Sequence, residues 1–230
     1  MEIDLNKVMK KHVIIFSHGF GVKKDDIGLL SEIAESFDDI TTLLFDYYDV
    51  DETNKTITTT TLSEQAAKLV KVFNDVKSQY PEAVIDIIAH SQGTIIPALV
   101  KLKGVRKSIF LAPVFDMSIE RTLKRHVSDP NSHINLNGIS TLRKLDGYIR
   151  FVPKEYWTER ATVKPFELYN EYAKNTALFV VNAKEDNILG EVNLLELNSS
   201  IKVISLHGDH SFNNEARADL IKVVKEIIYE

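Results

Sequence analysis

The sequence contains no cysteine, which excludes a disulfide framework, a thiolate nucleophile and any cysteine-ligated metal site. The same absence fits a reducing, cytoplasmic setting. Cations are in the minority, 28 Lys and Arg against 33 Asp and Glu for a formal charge of −5. That balance argues against a nucleic-acid partner, because neutralising phosphates takes a surplus of Lys and Arg gathered on one face. A long apolar run near the start is also missing. Residues 1–12 carry charges throughout, and the first apolar run, 13–16, is too short for a signal-peptide core or a membrane span. No internal repeat or low-complexity tract stands out. The nearest approach is the threonine-rich stretch 56–61, interrupted by Ile57, which reads as a loop or an irregular edge segment.

What remains is ordinary globular material: 230 residues, 44% hydrophobic and 27% charged, enough for a single domain over 1–230 with one large core. Short β-branched and aromatic runs at 12–17, 41–46, 84–89, 108–112, 178–183 and 202–206 predict strands. Several are continuously apolar, as strands covered on both faces should be. Between them, 26–37, 62–80, 92–102 and 214–229 space apolar residues three and four apart, the helical period. The alternation predicts an α/β fold with a doubly wound, mostly parallel sheet of about six strands. One interval, 115–176, breaks the rhythm. It is far longer than an ordinary connection and reads as a helical cap or lid packed by its aromatic residues, among them Tyr148, Phe151 and Trp157.

The pentapeptide Ala89-His90-Ser91-Gln92-Gly93 follows one predicted strand directly and opens a predicted helix, the setting of a nucleophile elbow. A serine there projects above the sheet, provided that small residues lie two before and two after it. Such a serine needs a base, and the base needs a group to orient it. After the strand 178–183 comes Lys184-Glu185-Asp186-Asn187, with Asp186 at the strand's carboxyl edge and Glu185 as its competitor. After 202–206 comes His207-Gly208-Asp209-His210. Either histidine can reach the elbow, and His210, further out and just before the last helix, has the usual setting of the base. The loop His18-Gly19-Phe20-Gly21 after the first strand can supply a backbone N–H to a developing oxyanion, from Phe20 by position, with a second from Gln92.

Through His18-Gly19-Phe20-Gly21, His90-Ser91-Gln92-Gly93, Asp186 and Asp209-His210-Ser211-Phe212, the sequence resembles the α/β-hydrolase superfamily over nearly its whole length. The resemblance implies a Ser-His-Asp triad of Ser91, His210 and Asp186, an oxyanion hole from the amides of Phe20 and Gln92, and neither cofactor nor metal. The segments 45–48 and 147–151 are similar to small bacterial carboxylesterases, including those acting on cinnamoyl and feruloyl esters. That implies a small-molecule ester substrate, with Tyr148, Phe151 and Trp157 as candidate contacts. Four features depart from the pattern: Ala89 where glycine is usual, Asp49-Val50-Asp51-Glu52 where glycines often follow, Pro97 inside the helix after the nucleophile, and only eleven residues before His12 where two strands often precede the first glycine loop. The same triad would also serve a thioesterase, amidase or acyltransferase, and a catalytically silent fold would serve as a binding module. The interval 115–176 holds ten Lys and Arg against eight Asp and Glu, a net of +2 in a chain of −5, which hints at an anionic substrate group.

Overall fold

The apolar runs become strands buried on both faces. In the computed structural model, which describes residues 11–126, 131–143 and 146–230, the elements run β1 (His12–Ser17), α1 (Leu29–Glu35), β2 (Thr41–Leu44), β3 (Asp49–Asp51), β4 (Thr56–Thr58) and α2 (Leu62–Gln79). Then come β5 (Val84–His90), α3 (Ile95–Val100), β6 (Val105–Leu111), α4 (Ile119–His126), β7 (Ser140–Arg143) and β8 (Ile149–Val152). The chain continues with α5 (Lys154–Arg160), α6 (Pro165–Tyr172), β9 (Ala177–Ala183), β10 (Lys202–Leu206) and α7 (Glu215–Tyr229). Of the charged start, residues 1–10 lie outside the described residues. No helix among those described is long and apolar enough to cross a membrane.

Six strands form one sheet in the order β10-β9-β6-β5-β1-β2, with every neighbouring pair parallel. Period-two alternation sends Val13, Ile15, Ile85 and Ile87 to one face and Ile14, Phe16, Ile88 and Ile109 to the other. The first face packs against Leu69 and Phe73 of α2, Ile95 and Ile96 of α3 and Tyr169 and Tyr172 of α6, and the second against α1 and α7. The sheet is therefore doubly wound. Its amino-terminal edge is pinned by Asp86, which is fully buried and bonds His12 at 2.7 Å, the Arg106 guanidinium and the amide of Lys107 at 2.9 Å.

Three expectations change in detail. The predicted helix 26–37 begins only at Leu29, because Asp26 and Ile27 take left-handed φ values of 48° and 56°. The helix predicted over 92–102 starts as a 3₁₀ turn, Ser91–Thr94, and becomes α-helical only at Ile95. Pro97 then falls in the first turn of α3, where its missing N–H leaves the Gly93 carbonyl open, and the Ser17 hydroxyl donates to that carbonyl at 2.7 Å.

Threonines 56–61 are not a loop. Thr56–Thr58 is strand β4, and Thr61 caps α2 in a reciprocal box with Glu64. The interval 115–176 holds the helices α4, α5 and α6, and also β7 and β8. These two strands join β3 and β4 in a second, four-stranded sheet of order β3-β4-β8-β7. Four-residue strands carry little periodicity, and the inward position 150 of β8 is an arginine rather than an apolar residue.

Candidate active site

The carboxyl ends of β1, β5, β6, β9 and β10 open on one rim of the sheet, where a ligand site in an open α/β sheet is expected. At the end of β5 the backbone of Ser91 turns into the left-handed region, φ 53°, between the strand and the 3₁₀ turn. A non-glycine residue held there is strained and persists only because its surroundings enforce it. The surroundings are tight. A Cβ at Gly93 would lie 2.3 Å from the Ser17 carbonyl oxygen, so only glycine fits beside β1. Ala89, the departure from the usual glycine, is fully buried in β5 between Ser17 of β1 and Phe110 of β6, and its methyl is accommodated there.

Two loops reach the serine from β9 and β10. His210 Nε2 lies 2.9 Å from Ser91 Oγ, and its Nδ1 lies 2.7 Å from Asp186 Oδ2. The other carboxylate oxygen of Asp186 accepts the amides of Ile188 at 2.9 Å and Leu189 at 2.7 Å. Burial opposes charge on Asp186, yet the His210 hydrogen bond and these amides hold its pKa below the usual value. Burial lowers the His210 pKa, reinforced by the charge of His90, with Asp186 pulling the other way. The competitors are engaged elsewhere: Glu185 bonds His207 Nδ1 at 2.7 Å, exposed to solvent.

Behind His210 stands a second histidine–aspartate pair. His90 Nδ1 lies 2.8 Å from Asp26 Oδ2, and His90 Nε2 lies 2.9 Å from the His210 carbonyl oxygen. Both acceptors require a proton on the nitrogen they face, and neutral imidazole has one. The arrangement therefore suits an imidazolium–carboxylate pair. Burial opposes it on both sides, but Asp26 is held at about 2 and the His90 pKa is raised, each by the other's charge and hydrogen bond. Asp26 Oδ2 also accepts the Gly19 amide at 2.8 Å.

The same carboxylate thus ties the elbow to the loop 18–21. That loop abuts the serine, for a Cβ on Gly19 would lie 3.3 Å from the Ser91 Cβ. With the Gly19 amide given to Asp26 and the Gly21 amide to the Tyr48 hydroxyl at 3.4 Å, both glycine donors are committed away from the serine. His18 Nε2 accepts the Tyr47 amide at 2.9 Å, so Nδ1 carries the proton and donates to the Gly19 carbonyl at 3.0 Å. Burial keeps His18 neutral by lowering its pKa.

A cleft of about 760 Å³ opens beside Ser91, lined by Phe20, Gln92, Trp157 and Phe166 among others. Of the three aromatic residues expected to meet substrate, Trp157 lines this cleft, while Tyr148 and Phe151 do not. Tyr148 instead bonds the Glu52 carboxylate and lies under Lys23 and Lys55. Phe151 gives its carbonyl to Thr59 across the small sheet. Sequence reasoning missed Asp26, the charge of His90 and Arg160, which reaches the cleft from the end of α5. Asp26 lies 64 positions from His90, and no local pattern couples them. Among the described residues, no three His, Asp or Glu side chains gather as metal ligands would.

The family described as alpha/beta hydrolase of unknown function (DUF900) matches residues 1–136. Among solved structures, Est1E from Butyrivibrio proteoclasticus with ferulic acid bound is 15% identical, with TM-score 0.70 over 99% of this chain and 92% of that one. The esterase domain of a Rhodothermus marinus protein is 17% identical, with TM-score 0.65 over 95% and 87%. The Pyrococcus furiosus esterase Pf2001 is 13% identical, with TM-score 0.65 over 96% and 82%. No curated protein matches in sequence. Together these likenesses assign the α/β-hydrolase fold.

Proposed function

The chain belongs to the family of α/β-hydrolases of unknown function, and from that premise we propose that it cleaves carboxylic esters of small molecules through an acyl-enzyme on Ser91. The observation that carries the reading is the unbroken contact from Asp186 through His210 to the strained Ser91, at 2.7 and 2.9 Å. His210 Nε2 takes the hydroxyl proton as Ser91 Oγ bonds to the ester carbon. The proton then passes to the departing alkoxide, giving alcohol and an acyl-serine. Water, deprotonated by the same nitrogen, attacks the acyl carbon, and the serine leaves with its proton restored. Asp186 holds the ring and stabilises the imidazolium formed in each step.

The amides of Phe20 and Gln92 are our assignment for the oxyanion donors, supported by the commitment of the Gly19 and Gly21 amides elsewhere and by the position of Gln92 directly after the nucleophile. The interval 115–176 is assigned to specificity, since Trp157, Arg160 and Phe166 line the cleft. No step calls on a metal or organic cofactor. Likeness to the Rhodothermus marinus esterase domain and the Pyrococcus furiosus esterase lends support to ester chemistry as the class.

The test is turnover of a 4-nitrophenyl ester series from acetate to decanoate by the purified chain beside Ser91→Ala. The expected result is hydrolysis that depends on chain length and falls about a thousandfold or more in the variant. Undiminished turnover in the variant would remove Ser91 from the mechanism.

A further inference from the structure

Among the described residues, the well-buried guanidinium groups of Arg150 and Arg217 face carboxylates. Fully buried Arg150 bonds Asp146, and the mostly buried side chain of Arg217 lies 2.9 Å from Glu32. Arg160 is only 9% exposed and lines the cleft beside Ser91, yet its partners are neutral. Its Nη1 donates to the side-chain oxygen of Gln92 at 3.2 Å and to the Tyr156 hydroxyl at 3.3 Å, and its Nε has no partner at all. A desolvated cation whose hydrogen-bond partners are all neutral, with only the exposed carboxylate of Asp116 nearby, is a standing cost to the fold. It is offset when something brings the charge.

A second cation faces the same cleft. Arg121 of α4 is half-buried and donates to the Ile188 carbonyl at 2.7 Å, again a neutral partner. The remaining charged lining groups, Lys124, Asp116 and Glu191, are exposed and mixed in sign. Asp116 accepts the Ser118 amide at 2.8 Å. Burial works against its charge, and the Ser118 contacts with the nearby Arg121 and Arg160 hold its pKa down. The withdrawn charges of the cleft are thus both positive, and those open to solvent are screened.

We propose that the cleft takes esters bearing a carboxylate, received by Arg160 with Arg121, whose planar forks suit that group. The inference rests on the reading of Ser91 as an esterase nucleophile for the chemistry, but not for the binding. Two matched pairs test it and separate the side of the ester that carries the charge. Mono-4-nitrophenyl adipate against 4-nitrophenyl hexanoate places the carboxylate on the acyl side, and 4-acetoxybenzoate against phenyl acetate places it on the alcohol side. In at least one pair the acidic ester is expected to lead in kcat/KM by about tenfold or more, consistent with a charge-assisted contact. That lead should shrink as salt is added, collapse in Arg160→Gln and weaken in Arg121→Gln. Binding is read independently in Ser91→Ala by ligand-observed NMR, with monomethyl adipate expected to bind more tightly than dimethyl adipate and 4-acetoxybenzoate more tightly than phenyl acetate in whichever pair shows the preference.

Preference for the acid in binding with no hydrolysis by the parent chain would sink the esterase reading and leave the anion site standing. Hydrolysis without any preference, in turnover or in binding, would overturn the anion site and leave the esterase. A preference that survives both Arg160→Gln and Arg121→Gln would also overturn it, and the second variant carries the test should the first fail to fold.

Discussion

At the scale of the residue, the site is organised by protons. In the proposed mechanism His210 serves as base only while neutral, and burial together with the adjacent His90 charge lowers its pKa from the ordinary 6.5. The acid limb of kcat/KM is therefore expected below pH 6.5, since the base remains deprotonated further into acid than a free imidazole would. His90→Gln removes the neighbouring charge while keeping a donor for the His210 carbonyl. The limb should then move to higher pH, because a neighbouring positive charge that disfavours the imidazolium is gone. A pH profile of ester hydrolysis in both proteins checks it, and a limb that stays put would mean that His90 is neutral. The meeting of Ser91, Asp186 and His210 on one rim was legible in the sequence because each follows a strand, and local order carried them there. Asp26 could not. Its role depends on a left-handed backbone and on partners at Gly19 and His90 that only the folded sheet brings near.

Among the elements, the main sheet was legible because its strands are continuously apolar, whereas the small sheet was hidden by its own chemistry. Arg150 occupies an inward position of β8, fully buried, and satisfies its fork with local acceptors. Its Nε donates to the Gly21 carbonyl at 2.7 Å, Nη1 donates to the Tyr148 carbonyl and an Asp146 oxygen at 2.6 Å each, and Nη2 bonds the other Asp146 oxygen. The small sheet thereby grips the end of the loop 18–21. Arg150→Met is expected to cost about 3 kcal/mol in urea denaturation, because it takes the guanidinium from the Asp146 carboxylate and its donors from the Gly21 and Tyr148 carbonyls. It should also lower kcat/KM for a 4-nitrophenyl ester by loosening the loop beside Ser91. Arg150→Lys should rescue little of either, since an ammonium cannot reproduce the fork. Full stability in Arg150→Lys would show that charge alone suffices.

For the molecule as a whole, the question is whether 115–176 is a detachable lid or part of the body. Its length marked it as an insertion, but sequence spacing does not say what an insertion buries. Tyr156, Trp157, Tyr169 and Tyr172 are each no more than 2% exposed and share one apolar cluster with Val13, Ile15 and Phe110 of the main sheet. The Tyr172 hydroxyl lies 2.9 Å from Ser108 Oγ of β6, and the Tyr172 ring stacks on Phe110. The Tyr169 hydroxyl donates to the Val114 carbonyl at 2.8 Å. Four buried aromatic side chains remove roughly 600–1,000 Å² from water, on the order of 15–25 kcal/mol as an upper bound. Whole domains are stable by only about 5–15 kcal/mol. We therefore expect the full chain to unfold in urea as one transition, with near- and far-ultraviolet circular dichroism superimposed. A chain in which a short linker replaces 115–176 should show no cooperative transition, because the part of this face that α6 covers, around Phe110, would lie open to water. A shortened chain that unfolds cooperatively near the parent's midpoint would make the interval a true lid. The stability of the hydrolase body would then rest on the two helical layers, and the aromatic cluster would serve substrate alone.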